Sequence, residues 1–251
     1  LFMGVFRLGA AGAALGTTVA QAISVCVSLT VIVKRRLIVL SKEDFKPERS
    51  VMGRLLKIGV PVAMQDGLIQ VAFIVITVIV NRRGLNDAAA VGIVEKIIGF
   101  LFLGPSSMLS AVSALGAQNI GAGKPERAVQ TLRYAVLVAV SFGVLVTALI
   151  QLTAEPVVAL FTDRNGSGGE EVIRLGGQYL RGYIFDCIFA GIHFSFSGYF
   201  CACGRSGISF LHNILTIVLV RVPGAYLTSL LFPATLLPMG LATAGGSLLS
   251  V

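Results

Sequence analysis

A carboxylate inside an apolar run is the first chemistry this sequence offers. Asp66 stands about nine residues into "IGVPVAMQDGLIQVAFIVITVIV", Ile58 to Val80. At 1.5 Å per residue that is roughly 13 Å along a helix. Gln65 is its neighbour, Gln70 follows one turn on and Thr77 eleven residues on, so Asp66, Gln70 and Thr77 share a helical face. Pro61 removes a backbone donor and is placed to bend the helix below them. Two readings fit equally: a cation- or proton-carrying carboxylate with amide support, or an aspartate held neutral or paired at a helix interface. Asp186 interrupts "GYIFDCIFAGIHFSFSGYFCAC", with Tyr183 three residues before it and His193 and Ser197 seven and eleven after. An Asp–His face in a membrane suits a proton relay, although a lone membrane histidine is more often an interhelical hydrogen-bond donor. Glu95 and Lys96 are adjacent near one end of another apolar run and point apart; for Lys96 the plain alternative is snorkelling to the interface. Arg221 lies sixteen residues into its run, where snorkelling or an internal salt bridge is favoured over substrate contact.

Two motif-like stretches resolve into simpler roles. "AQNIGAGKPERA" has the glycines and lysine of a phosphate loop. Counting back from Lys124, however, the first required glycine falls on Gln118, and the required hydroxyl falls on Pro125. Gly121 and Gly123 read instead as a helix stop, Gln118 and Asn119 as its caps, and Pro125 with Glu126 as the next helix start. Cys201 and Cys203 have the spacing of two soft-metal ligands but no further ligand set nearby, so no metal site is expected. The four cysteines all lie in apolar segments and are expected to behave as small buried hydrophobes.

What must position these groups is a set of membrane helices. The chain of 251 residues is 55% hydrophobic and only 13% charged, against roughly 25% charged in soluble domains. Its mean hydropathy is +0.88. Seven apolar runs reach spanning length: Leu8–Val33, Ile58–Val80, Ala88 to about Gln118 with Pro105 in the middle, Tyr134–Ala154, Gly182–Cys203, Ser206–Phe232 and Ala234–Val251. The expected fold is an all-α polytopic membrane protein with about seven transmembrane helices. Strict alternation over ten residues, the mark of barrel strands, is absent from these runs. The net charge of +8 does not indicate nucleic acid, because the basic residues sit between apolar spans rather than along an aromatic-interleaved stripe.

Loop charge orients the chain. Lys34, Arg35, Arg36, Lys42, Lys46, Arg49, Arg54 and Lys57 fill the first loop, Lys124, Arg127 and Arg133 the third, and Arg205 the fifth. The alternate loops hold Arg82 and Arg83, then Arg164 and Arg174 balanced by acids. The odd loops are therefore expected in the cytoplasm. The chain begins with Leu1 only a few residues before a span and ends at Val251 inside one, which reads as a piece of a larger membrane protein.

The stretch "GAQNIGAGKPERA", following "AAAVGIVEKIIGFLFLGPSSMLSAVSAL", resembles the cytoplasmic end of the eighth helix in multidrug and toxic compound extrusion (MATE) transporters. "LLKIGVPVAMQ" is similar to the start of that family's seventh helix, "GYFCACGRSGISFLHNI" to its turn between helices ten and eleven, and "GAALGTTVAQAISV" to its sixth helix. The resemblance covers nearly the whole chain. It implies residues 1–34 as the last helix of the N-terminal lobe, 35–57 as a basic cytoplasmic linker, and 58–251 as the six-helix C-terminal lobe of a twelve-helix protein. It further implies antiport of organic, often cationic compounds against H⁺ or Na⁺ by alternating access, with no other cofactor. The partners implied are the lipid bilayer and the missing N-terminal lobe, in a plasma (inner) membrane. By the same resemblance Asp186 takes an acidic position typical of one branch, and Lys96 a common basic one. The family's glutamate on the seventh helix finds only Gln70 here, which cannot titrate, so Asp66 would have to substitute. Two other functions stay on the page: a related exporter or flippase of lipid-linked precursors or polysaccharides, which calls for more cavity arginines than Arg221, and a membrane enzyme on lipid phosphates, which calls for a His/Asp/Arg cluster beyond His193 and His212. Fifteen Phe and five Tyr suit stacking on aromatic cations and suit lipid-facing surfaces equally.

Overall fold

The computed structural model describes residues 9–35, 46, 48–164 and 168–250. The chain divides into two compact units, residues 1–52 and 53–251. The first contains α1 (Gly9–Arg35) and the opening turn of α2 (Arg49–Asn81). The second contains the rest of α2 and then α3 (Leu85–Leu101), α4 (Leu103–Gly121), α5 (Pro125–Ala159), α6 (Gly169–Tyr183), α7 (Asp186–Ala202), α8 (Ser206–Thr216), a π-helical stretch Ile217–Arg221, α9 (Val222–Leu231) and α10 (Leu237–Leu249).

Five helices among the described residues are long and apolar enough to cross a membrane, and a sixth if the bent pair α6–α7 counts as one span. Their outer surface is apolar: Leu152, Leu160 and Phe100 are each more than 70% exposed. In water this surface would be a severe liability; against lipid it is matched solvent. Because lipid tails are as apolar as leucine, helix association here depends on close packing of small residues. Gly143 packs on Ile188, Gly191 on Ala139, and Gly198 on Leu109 and Val112, which seats α7 against α4 and α5.

Several expected boundaries move. α2 begins at Arg49, so the last nine residues of the expected linker are helix; residues 36–45 and 47 of that linker lie outside the described residues. α2 continues through Pro61. The span expected from Gly182 starts at Gly169 and bends by 41° just before Asp186. Glu170, Glu171, Arg174, Gln178 and Arg181 on one side of α6 dilute its hydropathy, while Val172, Leu175, Tyr179, Leu180 and Tyr183 are buried on the other. The expected single span around Pro105 is present as one stretch, Leu85–Gly121, with a one-residue irregularity at Phe102 between α3 and α4. Pro105 has no N–H to offer the carbonyl of Leu101, so the ladder is interrupted there. The last expected span appears as α10, thirteen residues, too short to cross by itself; Val251 lies outside the described residues. Cys187 and Cys201 are buried as expected, but Cys26 and Cys203 are exposed, so only two of the four behave as core residues.

The turn after α4 takes the expected form. Gly123 has φ +70°, a left-handed conformation that disfavours any Cβ. Its N–H bonds to Ile120 O at 3.0 Å and that of Lys124 to Asn119 O at 2.9 Å, which closes the helix end. Asn119 Nδ2 donates back to Leu115 O at 2.8 Å. The same closure recurs at Gly204, with Arg205 N to Phe200 O at 2.8 Å. Ser206 Oγ donates to Lys57 O at 3.4 Å, which puts the start of α8 beside Lys57 of α2. At the opposite end Arg83 ties the α2–α3 turn to the α9–α10 turn. Lys57 of α2 and the start of α8 thus share one end of the second unit, and the α2–α3 and α9–α10 turns share the other.

Candidate functional site

A cavity of about 740 Å³ opens inside the second unit. Asp66, Gln70 and Phe73 face it from α2, Glu95 and Lys96 from α3, and Tyr183 from the end of α6. Asp186 and His193 of α7, Asn213 of α8 and Arg221 also line it, with Ser106 and Ser110 of α4 and Ser247 of α10. Eight of the nine coupling or polar candidates, Asp66, Gln70, Glu95, Lys96, Tyr183, Asp186, His193 and Arg221, therefore line one space. Gln65, the ninth, is not among them: it is buried at 2% exposure and accepts from Ser209 Oγ at 2.8 Å, a tie between α2 and α8. Pro61, Pro105, Gln118, Asn119, Gly121 and Gly123 lie outside the lining and shape helices instead.

The cavity wall contains a buried ion pair. Asp186 is fully buried, and Arg221 Nη2 lies 3.4 Å from its Oδ2. The same nitrogen donates to Tyr183 Oη at 2.5 Å. The guanidinium also sits 5.2 Å from the Phe73 ring centroid and 5.6 Å from that of Tyr183, within range for cation–π attraction. Arg221 ends the π-helical stretch, two residues before Pro223. Pro223 cannot donate an N–H to the preceding turn, and the extra residue per turn takes up the lost bond. Tyr183 is positioned by an edge contact with Tyr179, centroids 5.6 Å apart. Of the alternatives for Arg221, the internal salt bridge is the one formed.

Asp186 and His193 do not touch each other. They are two helical turns apart, about 10 Å along α7, and no bond joins them among the described residues. His193 Nε2 instead lies 3.3 Å from Asn213 Nδ2 and 3.5 Å from Ser197 Oγ, and its ring stacks on His212 at 6.2 Å. Ser209 extends this chain, 2.7 Å from Ser197 and onward to Gln65. Glu95 Oε1, Asp186 Oδ1, Asn213 Oδ1 and Arg221 Nε are buried with no hydrogen-bond partner among the described residues. A low-dielectric cavity with unmatched donors and acceptors favours a polar or charged occupant.

Phe73, Asn213 and Ser209 were not singled out from sequence. Asn213 and Ser209 are polar residues in an apolar run and were open to the same scan that found Asp66. Phe73 carries no such signal, because it matters only through Arg221.

Residues 61–227, more than half of the chain, match the MatE family model. The chain belongs to the MatE family. It is 27% identical over 223 residues to the "Probable multidrug resistance protein YpnP" of Bacillus subtilis (strain 168), covering 89% of this chain and 49% of that protein. It is 26% identical over 248 residues to a protein of Shewanella oneidensis described as "FAD transporter", covering 94% and 53%. The chain spans about half the length of the curated relatives it matches. Among solved structures, a MATE in complex with MaL6 superposes with a TM-score of 0.89 at 20% identity over 99% of this chain and 56% of that one. A MOP superfamily transporter from Pyrococcus furiosus gives 0.87 at 20% identity over 99% and 55%. At these identities the likeness shows the fold. The MatE matches are transporters rather than enzymes, and this chain is a multi-pass membrane protein.

Proposed function

We propose that this chain supplies one lobe of a secondary antiporter that exports small organic compounds, cationic ones foremost, in exchange for H⁺ or Na⁺. The observation that carries this reading is the single cavity in which Asp66, Glu95 and Asp186 are gathered inside apolar helices. Charge at such depth is costly and is retained for function. In this reading an acidic site, Asp66 and/or Asp186, takes the coupling ion from outside. Neutralising the carboxylate changes helix packing and favours the other access state, which releases the compound. The N-terminal lobe of the same protein faces this one, the basic first, third and fifth loops lie in the cytoplasm, and the site of action is the plasma (inner) membrane. The test is ethidium efflux by the complete protein in cells lacking their own pumps. Efflux that follows an imposed H⁺ or Na⁺ gradient supports the reading; no gradient-driven efflux of any cationic dye removes it.

A second reading draws on Arg221 and Lys96, two cations in the same wall, and on the relative described as an FAD transporter. It makes the compound an aromatic anion such as a flavin nucleotide. Retention of ethidium with export of flavin separates it from the first.

A further inference from the structure

We propose that Arg221 is the resident cation of Asp186, occupying the place on that carboxylate that a coupling ion would take, so that Asp186 is withdrawn from ion exchange and the exchangeable charge falls to the cavity's other acids. This deepens the reading above and rests on it for the claim that ions exchange in this cavity.

The geometry makes the guanidinium a built-in counter-ion. Asp186 has no exposed surface, and a buried carboxylate in apolar surroundings needs an opposite charge within reach. The described cation that bonds to it is Arg221, 3.4 Å away. Arg221 does not reach in from a mobile loop. It is 9% exposed, fixed at the end of the π-helical stretch, flanked by the Phe73 and Tyr183 rings and bonded to Tyr183 Oη. Four elements therefore hold this one group: α2, the end of α6, α7 and the stretch before α9. A guanidinium is charged at every physiological pH, so no proton loss can vacate the position. A second monovalent cation on Asp186 would sit within a few ångströms of Arg221 and be repelled by it.

The pair is also incompletely made. Arginine and carboxylate commonly meet through two parallel bonds, yet here Arg221 Nε and Asp186 Oδ1 are both unpartnered. Gly246 of α10 lies behind the arginine stem, where even a Cβ would stand 3.1 Å from Arg221 Cβ. Glu95, by contrast, has a buried and unpartnered Oε1 and shares its wall with Asp66 and Gln70. Those groups form no ion pair among the described residues, and Lys96 and Arg221 act on Glu95 only from beyond ion-pair distance, which leaves them the exchangeable sites.

The experiment compares sodium responses of the purified full-length protein. Thermal unfolding is recorded in choline chloride and in sodium chloride at equal ionic strength for wild type, D186N, R221Q and the double variant. Expected is the same sodium response in wild type and D186N, a further rise of about 2–4 °C in R221Q once sodium exceeds its dissociation constant severalfold, and loss of that rise in the double variant. A wild-type sodium response that D186N abolishes overturns the proposal, as does a folded R221Q with no gain. Should R221Q not fold, wild type against D186N decides alone: an abolished response overturns the proposal and an unchanged one supports it. Efflux is not read here, so failure of the transport reading shows in the ethidium assay and failure of this proposal in the melting curves.

Discussion

Gly182 on α6 and Gly240 on α10 meet where the two helices cross. A Cβ on Gly182 would stand 2.5 Å from the carbonyl oxygen of Leu237, and one on Gly240 would stand 2.8 Å from the backbone nitrogen of Tyr183. This crossing presses α10 against the turn that carries Tyr183, and Tyr183 in turn receives Arg221.

Either G182A or G240A forces the helices apart. Overpacking of this kind costs typically 1–3 kcal/mol. Each variant of the full-length protein is expected to melt earlier by that amount. The double variant is expected to cost less than the sum, because the first substitution already opens the seam. Full additivity in the melting curves would mean the two glycines do not share one contact.

Arg83 is the clamp at the opposite end from the basic turns. Its Nε donates to Asp87 at 2.9 Å, while its two terminal nitrogens reach the carbonyls of Ser229, Phe232, Pro233 and Thr235 at 2.9–3.3 Å. Only a planar fork serves so many acceptors at once. R83A is expected to lose about 2–4 kcal/mol, since several polar groups lose a charged partner together, and R83K to recover only part of it. Hydrogen exchange over residues 229–235 is the sharper readout, with protection dropping there first.

Ser209 links α7, α8 and α2 through Ser197 and Gln65. Interhelical hydrogen bonds in membranes are worth on the order of 0.6 kcal/mol each, so S209A is expected to lower stability by about 1 kcal/mol. A much larger drop would show that the polar chain acts as a unit with the His193–Asn213 contact rather than as separate bonds.

Neutralising the exchangeable acids bears on transport. D66N and E95Q in the complete protein are each expected to lower gradient-driven ethidium efflux by about tenfold, a coupling loss of roughly 1.4 kcal/mol. If D66N, E95Q and D186N all pump as well as wild type, the acidic-site mechanism is wrong. If D66N alone is silent while D186N, though less stable, still couples, the exchange site lies on the α2 side of the cavity.

The sequence by itself determined a great deal of this protein. Run length and missing charge identify membrane helices, because a bilayer tolerates neither unpaired backbone nor stray charge. Glycine, proline and lysine chemistry set the turn at Gly123. The ionisable residues inside apolar runs include Asp66, Glu95, Lys96, Asp186, His193 and Arg221, which the structure gathers around one cavity. Helical periodicity does not name partners across helices. Asp186 and His193 share a face by spacing, yet the partner of Asp186 comes from thirty-five positions away, across a helix packing that no local pattern encodes. The amphipathic start at Gly169 was hidden for a related reason: its polar residues are balanced by a buried face that exists only once α6 packs on α3, α5 and α10. Tertiary structure alone decided who neutralises whom, because in a low-dielectric interior an ion pair is set by approach in space and not by distance along the chain.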